Sequence, residues 1–162
     1  MERVPANCAN ILMGLRGFQQ GGPQMCDYSL QHVRSRPAKV GDKLTTRDFG
    51  TCTRGFGAAE DARVAVCVLP GTELAFSSPV TVTDYRFVVG WKVETLAHTT
   101  AIFRRVDKNE PLKHHDALEF PDGRIVLLTQ LCEGQEATVL QLPAQPTTTV
   151  EADAQKRIVN IG

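Results

Sequence analysis

From residue 39 onward the chain reads as short apolar or alternating runs cut by turn residues. Lys39-Val40-Gly41-Asp42-Lys43 is a turn leading into a strand over residues 44–49. Residues 64–69, VAVCVL, form an apolar run that Pro70-Gly71 closes. Thr72-Glu73-Leu74-Ala75-Phe76 then alternates, with Leu74 and Phe76 on one face, so a hairpin about Pro70-Gly71 is expected. Residues 80–89 and 95–106 are longer runs rich in Val, Thr, Tyr, Phe and Ile, separated by Gly90. In the second run Ile102 and Val106 share one parity and Ala101 and Phe103 the other, which leaves strand or helix open. The clearest hairpin is Asp116 to Phe120, then Pro121-Asp122-Gly123, then Arg124 to Leu131. Proline presets φ, aspartate bonds its neighbouring backbone, and glycine takes the left-handed position. Cys132-Glu133-Gly134-Gln135 makes the next turn and Ala137 to Leu142 the next strand. About eight strands with turn signals every 8 to 12 residues predict a mainly β, single-domain fold, an antiparallel β-barrel or β-sandwich.

The flanks differ. Residues 1–25 show no sustained period and run through Gln19-Gln20-Gly21-Gly22-Pro23-Gln24, which predicts a loose N-terminal extension. Met25 is a candidate translational start. The β domain is expected over residues 26–143. The tail, residues 144–162, begins Pro/Thr-rich and turns apolar at Ile158-Val159-Asn160-Ile161. That segment is a candidate for docking on the domain or on a protein partner.

Charge narrows the functional classes. Eighteen basic and eighteen acidic residues balance to zero. A dedicated nucleic-acid binder needs a basic excess, so no nucleic-acid partner is expected. The local basic stretch Arg34, Arg36, Lys39 and Lys43 reads as a solvated loop, with only Tyr28 near it for base stacking. No apolar run approaches the ~20 residues a membrane helix requires, and no signal sequence is legible, so the expectation is a cytoplasmic protein with no membrane insertion. Five cysteines, Cys8, Cys26, Cys52, Cys67 and Cys132, form no CxxC pair. In such a setting free thiols are expected, with Cys67 buried as a small apolar residue.

One segment concentrates polar chemistry: Lys113-His114-His115-Asp116-Ala117-Leu118-Glu119. Side chains alternate along a strand, so His114, Asp116, Leu118 and Phe120 share one side, and His115, Ala117 and Glu119 the other. Leu118 and Phe120 mark the first side as the core side. Adjacent histidines cannot then hold one ion together. The metal candidates are His114, His115, Asp116, Glu119 and His98, with zinc or iron as the cofactor; the other reading is a polar strand entrance and no cofactor. The residue types resemble the metal site of the cupins, which are small β-barrels. Cupins space two histidines by one residue and place a later histidine on another strand. Here the histidines are adjacent and none follows Glu119, so a third ligand would come from His98, His32 or a cysteine.

Nucleophile patterns are sparse. Cys26 after Met25 resembles the terminal cysteine of N-terminal-nucleophile glutamine amidotransferases, but Asp27 stands where those enzymes carry glycine. No GxSxG elbow or phosphate loop is present, and Ser29 and Ser35 merely flank His32. Three phrases, MCDYSLQHVRSRPAKVGDKL, VAVCVLPGTELAF and HHDALEFPDG with LCEGQEATVLQLP, together resemble a group of small bacterial β-domain proteins over residues 25–143. The resemblance implies one bacterial domain starting near Met25, and brings no site, substrate or partner with it. The function expected from the sequence is a non-enzymatic accessory or binding domain. The alternative is a small metal-binding β-barrel protein or metal-dependent enzyme that uses KHHDALE.

Overall fold

The structure, a computed structural model, describes residues 33–50, 54–84, 92–107, 109–110, 113–144 and 160–161. Twelve strands occur among them: β1 (Ser35–Pro37), β2 (Lys43–Asp48), β3 (Arg54–Ala58), β4 (Ala65–Cys67), β5 (Glu73–Phe76), β6 (Thr81–Asp84), β7 (Lys92–Thr95), β8 (Thr100–Val106), β9 (Asp116–Glu119), β10 (Ile125–Leu127), β11 (Glu136–Gln141) and β12 (Asn160–Ile161). A single 3-10 turn, Leu128–Gln130, follows β10. The main sheet runs β1-β4-β3-β2-β11-β5-β8-β9-β10, with β12 beside β8. β6 and β7 form a second, two-stranded sheet. The fold is therefore mainly β, as the alternation predicts. The main sheet is mixed, since β1 runs parallel to β4 and β12 parallel to β8. Among the described residues no helix is long and apolar enough to cross a membrane.

Inward positions build one core. Leu44, Leu74, Leu118, Leu131 and Val139 are each 1% exposed or less, and Phe56, Phe76, Phe103 and Phe120 pack with them. Residues 100–106 settle as strand: Ala101 and Phe103 face the core, while Ile102 and Arg104 face outward and are half-buried. The β9–β10 hairpin forms, with Ile125 opposite Glu119 and Leu127 opposite Ala117, but its return strand ends at Leu127 and the expected continuation to Leu131 is a 3-10 turn instead. Gly123 sits at φ +82°, and its amide donates to the Phe120 carbonyl at 2.9 Å. An added Cβ there would meet nothing within 4 Å, so only the backbone resists a side chain. Gly123→Val will cost roughly 1–2 kcal/mol, the strain of a β-branched residue at positive φ. A thermal melt checks it; an unchanged midpoint would remove the turn assignment.

Three expectations need correction. The turn at Pro70-Gly71 exists, with the Thr72 amide on the Leu69 carbonyl at 3.0 Å. Its two strands are not a hairpin: β4 pairs with β1 and β3, while β5 pairs with β11 and β8. Each strand finds a more distant partner, which local turn chemistry cannot reveal. The stretch from Arg34 to Lys43 is not a bare basic loop. It contains the edge strand β1, and Arg36 pairs with Asp42 at 2.6 Å and Glu60 at 2.8 Å. Burial alone would raise the Asp42 carboxyl; the Arg36 guanidinium and the Lys39 amide outweigh it and hold it below the usual carboxylate range. Finally, Cys132 is a free thiol, but Cys67 is disulfide-bonded. Sequence spacing carries no information on such a pairing. The expectations on residues 1–25, including Met25 and Cys26, also lie outside the described residues.

Thr72 has one defect. It is fully buried, its amide and carbonyl are engaged, and its Oγ1 finds no partner among the described residues. A buried hydroxyl without a hydrogen bond costs about 1–3 kcal/mol. Thr72→Val keeps the branched shape and removes the hydroxyl. It will stabilise the fold by about 1 kcal/mol, read as a higher urea midpoint at unchanged slope.

Candidate functional site: an outward groove across three strands

The five metal candidates do not meet. Asp116, at the start of β9, is 9% exposed, and its Oδ1 accepts from Arg105 Nε at 3.3 Å. Glu119, at the end of β9, faces outward and accepts from Arg104 Nε at 2.5 Å. His115 Nδ1 lies 3.0 Å from the Val106 carbonyl, which makes that nitrogen a donor. His114 is half-buried just before β9. His98 lies near the other end of the hairpin, its Nε2 3.1 Å from Asp122 Oδ2 and its ring stacked on Phe120 at a centroid distance of 6.2 Å. Among the described residues no three His, Cys, Asp or Glu side chains gather around one point. The parity argument explains the separation of Asp116 from Glu119: they lie on opposite sides of β9, and each engages the arginine on its own side of β8. The Arg124 amide lowers the Asp122 carboxyl below the usual range, and the His98 ring adds to this against the effect of burial.

A different arrangement stands on the outer face of the sheet. Glu73 of β5 and Glu119 of β9 both lie opposite Ile102 of β8, and Ile125 of β10 lies opposite Glu119. The row across four strands thus reads Glu73, Ile102, Glu119, Ile125. Neighbouring strands lie about 5 Å apart, so the two carboxylates are borne on backbones roughly 10 Å apart. An open groove of about 460 Å³ runs over the first three of these, Glu73, Ile102 and Glu119, and is lined also by Leu140 and by Phe120-Pro121.

Local irregularities shape the walls. The β11–β5 register shifts between Val139 and Gln141, so Leu140 is extra on its strand. Such a bulge re-aims a side chain, and Leu140 is 47% exposed. The opposite wall is the Pro-Asp-Gly turn, braced by the Asp122 carboxylate accepting from the Arg124 amide at 3.0 Å. Glu119 is neutralised by Arg104, whereas Glu73 is exposed and has no ion-pair partner among the described residues. The site therefore offers aliphatic surface, one uncompensated carboxylate and one arginine-bound carboxylate. Sequence reading did not single out Glu73, Ile102 or Leu140 as site residues. The alternation around Leu74 and Phe76 already turned Glu73 outward; the pairing of β5 with β8 rather than β4 was the missing step.

No protein-family model matches the chain, and no curated protein or solved structure is significantly similar to it.

Proposed function

We propose that the chain is a non-enzymatic binding domain, and that the groove over β5, β8 and β9 takes an extended segment of a partner protein. The segment would carry an aliphatic side chain beside a lysine or arginine. The observation that carries this reading is the outward row Glu73–Ile102–Glu119 beneath Leu140. Apolar walls with a few placed polar groups are the usual make-up of a ligand site, and an uncompensated Glu73 favours a cationic group over an anionic one. An accessory role in a larger assembly belongs to the same reading.

Selection of a random peptide library on the immobilised full chain tests it. Enriched peptides should combine a basic and an aliphatic residue. Binding should fall at least tenfold on Ile102→Ser, about 1.4 kcal/mol, and on Glu73→Gln, with the melting temperature of Glu73→Gln unchanged. Enrichment of acidic peptides, or peptides indifferent to both substitutions, would remove the groove as the binding surface.

A further inference from the structure

The floor of the groove offers side chains and no open sheet edge. β5 lies between β11 and β8, β8 between β5 and β9, and β9 between β8 and β10. Within the row, Ile102 is flanked by Glu73 and Glu119, Glu73 has Gln141 on its other side, and Glu119 has Ile125. Addition of a ligand as a further strand needs an exposed edge, and these three strands have none along the row. A segment lying on this floor is held through its side chains, and its own amides and carbonyls stay with water.

Polyproline II is the extended conformation that suits such a floor, since it makes no internal hydrogen bonds and keeps its backbone fully solvated. Its repeat suits the row as well. Three residues per turn return the chain to the same face about every 9.3 Å, close to the roughly 10 Å between the backbones that bear Glu73 and Glu119. With three columns of side chains, two adjoining columns face a surface and the third faces water, so a basic residue and its aliphatic neighbour both reach the groove. In a β-strand those neighbours point to opposite sides, and same-face residues recur at about 6.8 Å. Charge sets the placement. Glu73 is exposed with no ion-pair partner among the described residues, so the basic residue belongs there. Glu119 already accepts from Arg104, so the residue one turn further on is uncharged and rests by Phe120-Pro121.

We propose that the occupant of the groove is a polyproline II segment of a partner protein, with a lysine or arginine on Glu73 and an adjoining aliphatic residue on Ile102. This rests on the reading of the groove as a peptide site, and adds to it the conformation of the peptide.

Fluorescence anisotropy of three labelled synthetic peptides on the full chain tests it. Each carries one arginine and one leucine. In the first the two adjoin and prolines fill the other positions, which presets φ in the free peptide. In the second a threonine separates them and threonines fill the rest, which favours a strand. In the third they stand at i and i+4 of an alanine-rich helix. The proline peptide should bind at least about threefold tighter than either of the others, because a ligand already in its bound conformation loses less freedom. Its affinity should fall about tenfold in Glu73→Gln, the loss of about 1.4 kcal/mol expected of the groove's basic-residue contact. Equal or tighter binding of the threonine or helical peptide, still weakened by Glu73→Gln, would overturn the polyproline conformation and leave the groove as a peptide site. No binding by any of the three, or binding indifferent to Glu73→Gln, would overturn both.

Discussion

Phe120→Ala will lower the unfolding free energy by about 3–5 kcal/mol, the range for truncating a phenylalanine in a packed core. Phe120 is 2% exposed and belongs to the central cluster with Phe103 and Leu118. It also stands at a junction. Its amide donates to the Arg124 carbonyl and its carbonyl accepts from the Gly123 amide, both at 2.9 Å, so it closes the β9–β10 turn. Its ring is the surface on which His98 stacks. The backbone bonds survive the substitution, whereas the ring's packing and its stacking with His98 do not. The expected signature is a lower urea midpoint at unchanged slope, because the change empties the core without altering the surface exposed on unfolding. A loss below about 1 kcal/mol, the range of ordinary surface changes, would mean that the faces of β9 are inverted.

That result would also measure how much a sequence reveals here. The β9–β10 hairpin was legible because its signal is local: Pro121-Asp122-Gly123 sets the turn, and Leu118 and Phe120 mark the core face. Partner choice was not legible. β4 and β5 adjoin a turn that suits a hairpin, yet β5 lies between β11 and β8, some sixty and thirty residues further along the chain. The polar cluster is divided for a related reason. His114, His115, Asp116 and Glu119 are crowded in sequence, but a strand separates neighbours onto two faces, and arginines on β8 bind both carboxylates. Arg104 and Arg105 were visible in the sequence; their register with β9 was not. Cys67 teaches the same lesson. Its disulfide is a pairing that cysteine spacing along the chain does not reveal.

Gln135→Ala will cost about 2–4 kcal/mol, although glutamine in a turn next to glycine looks dispensable. Its side chain imitates a strand. Oε1 accepts from the Thr81 amide at 2.7 Å, and Nε2 donates to the carbonyls of Thr81 at 2.9 Å and Cys132 at 2.8 Å. On its other side the Gln135 amide donates to Thr46 Oγ1 at 2.9 Å, and that hydroxyl donates to the Cys132 carbonyl at 2.7 Å. Gln135 thereby ties β6 of the small sheet to β2 and β11 of the main one, beside the Val82–Leu131 bridge. Alanine leaves the Thr81 amide without its acceptor, worth about 1–3 kcal/mol in a half-buried place, and removes two further bonds worth about 0.5–1.5 kcal/mol each. The two carbonyls keep second donors, the Cys132 amide at 3.0 Å and Thr46 Oγ1, which caps the loss. Amide exchange should therefore accelerate in β6 and β7 before it does in β8 or β11. Gln135→Glu separates geometry from charge. Its carboxylate still accepts from Thr81 but opposes two carbonyls, so its folded-state pKa is raised above the unfolded value near 4.3. Its destabilisation is then full at neutral pH and shrinks as pH falls through the raised folded value, because the protonated acid donates one bond again. A Gln135→Glu chain that loses further stability relative to wild type on acidification would place the glutamine outside this network.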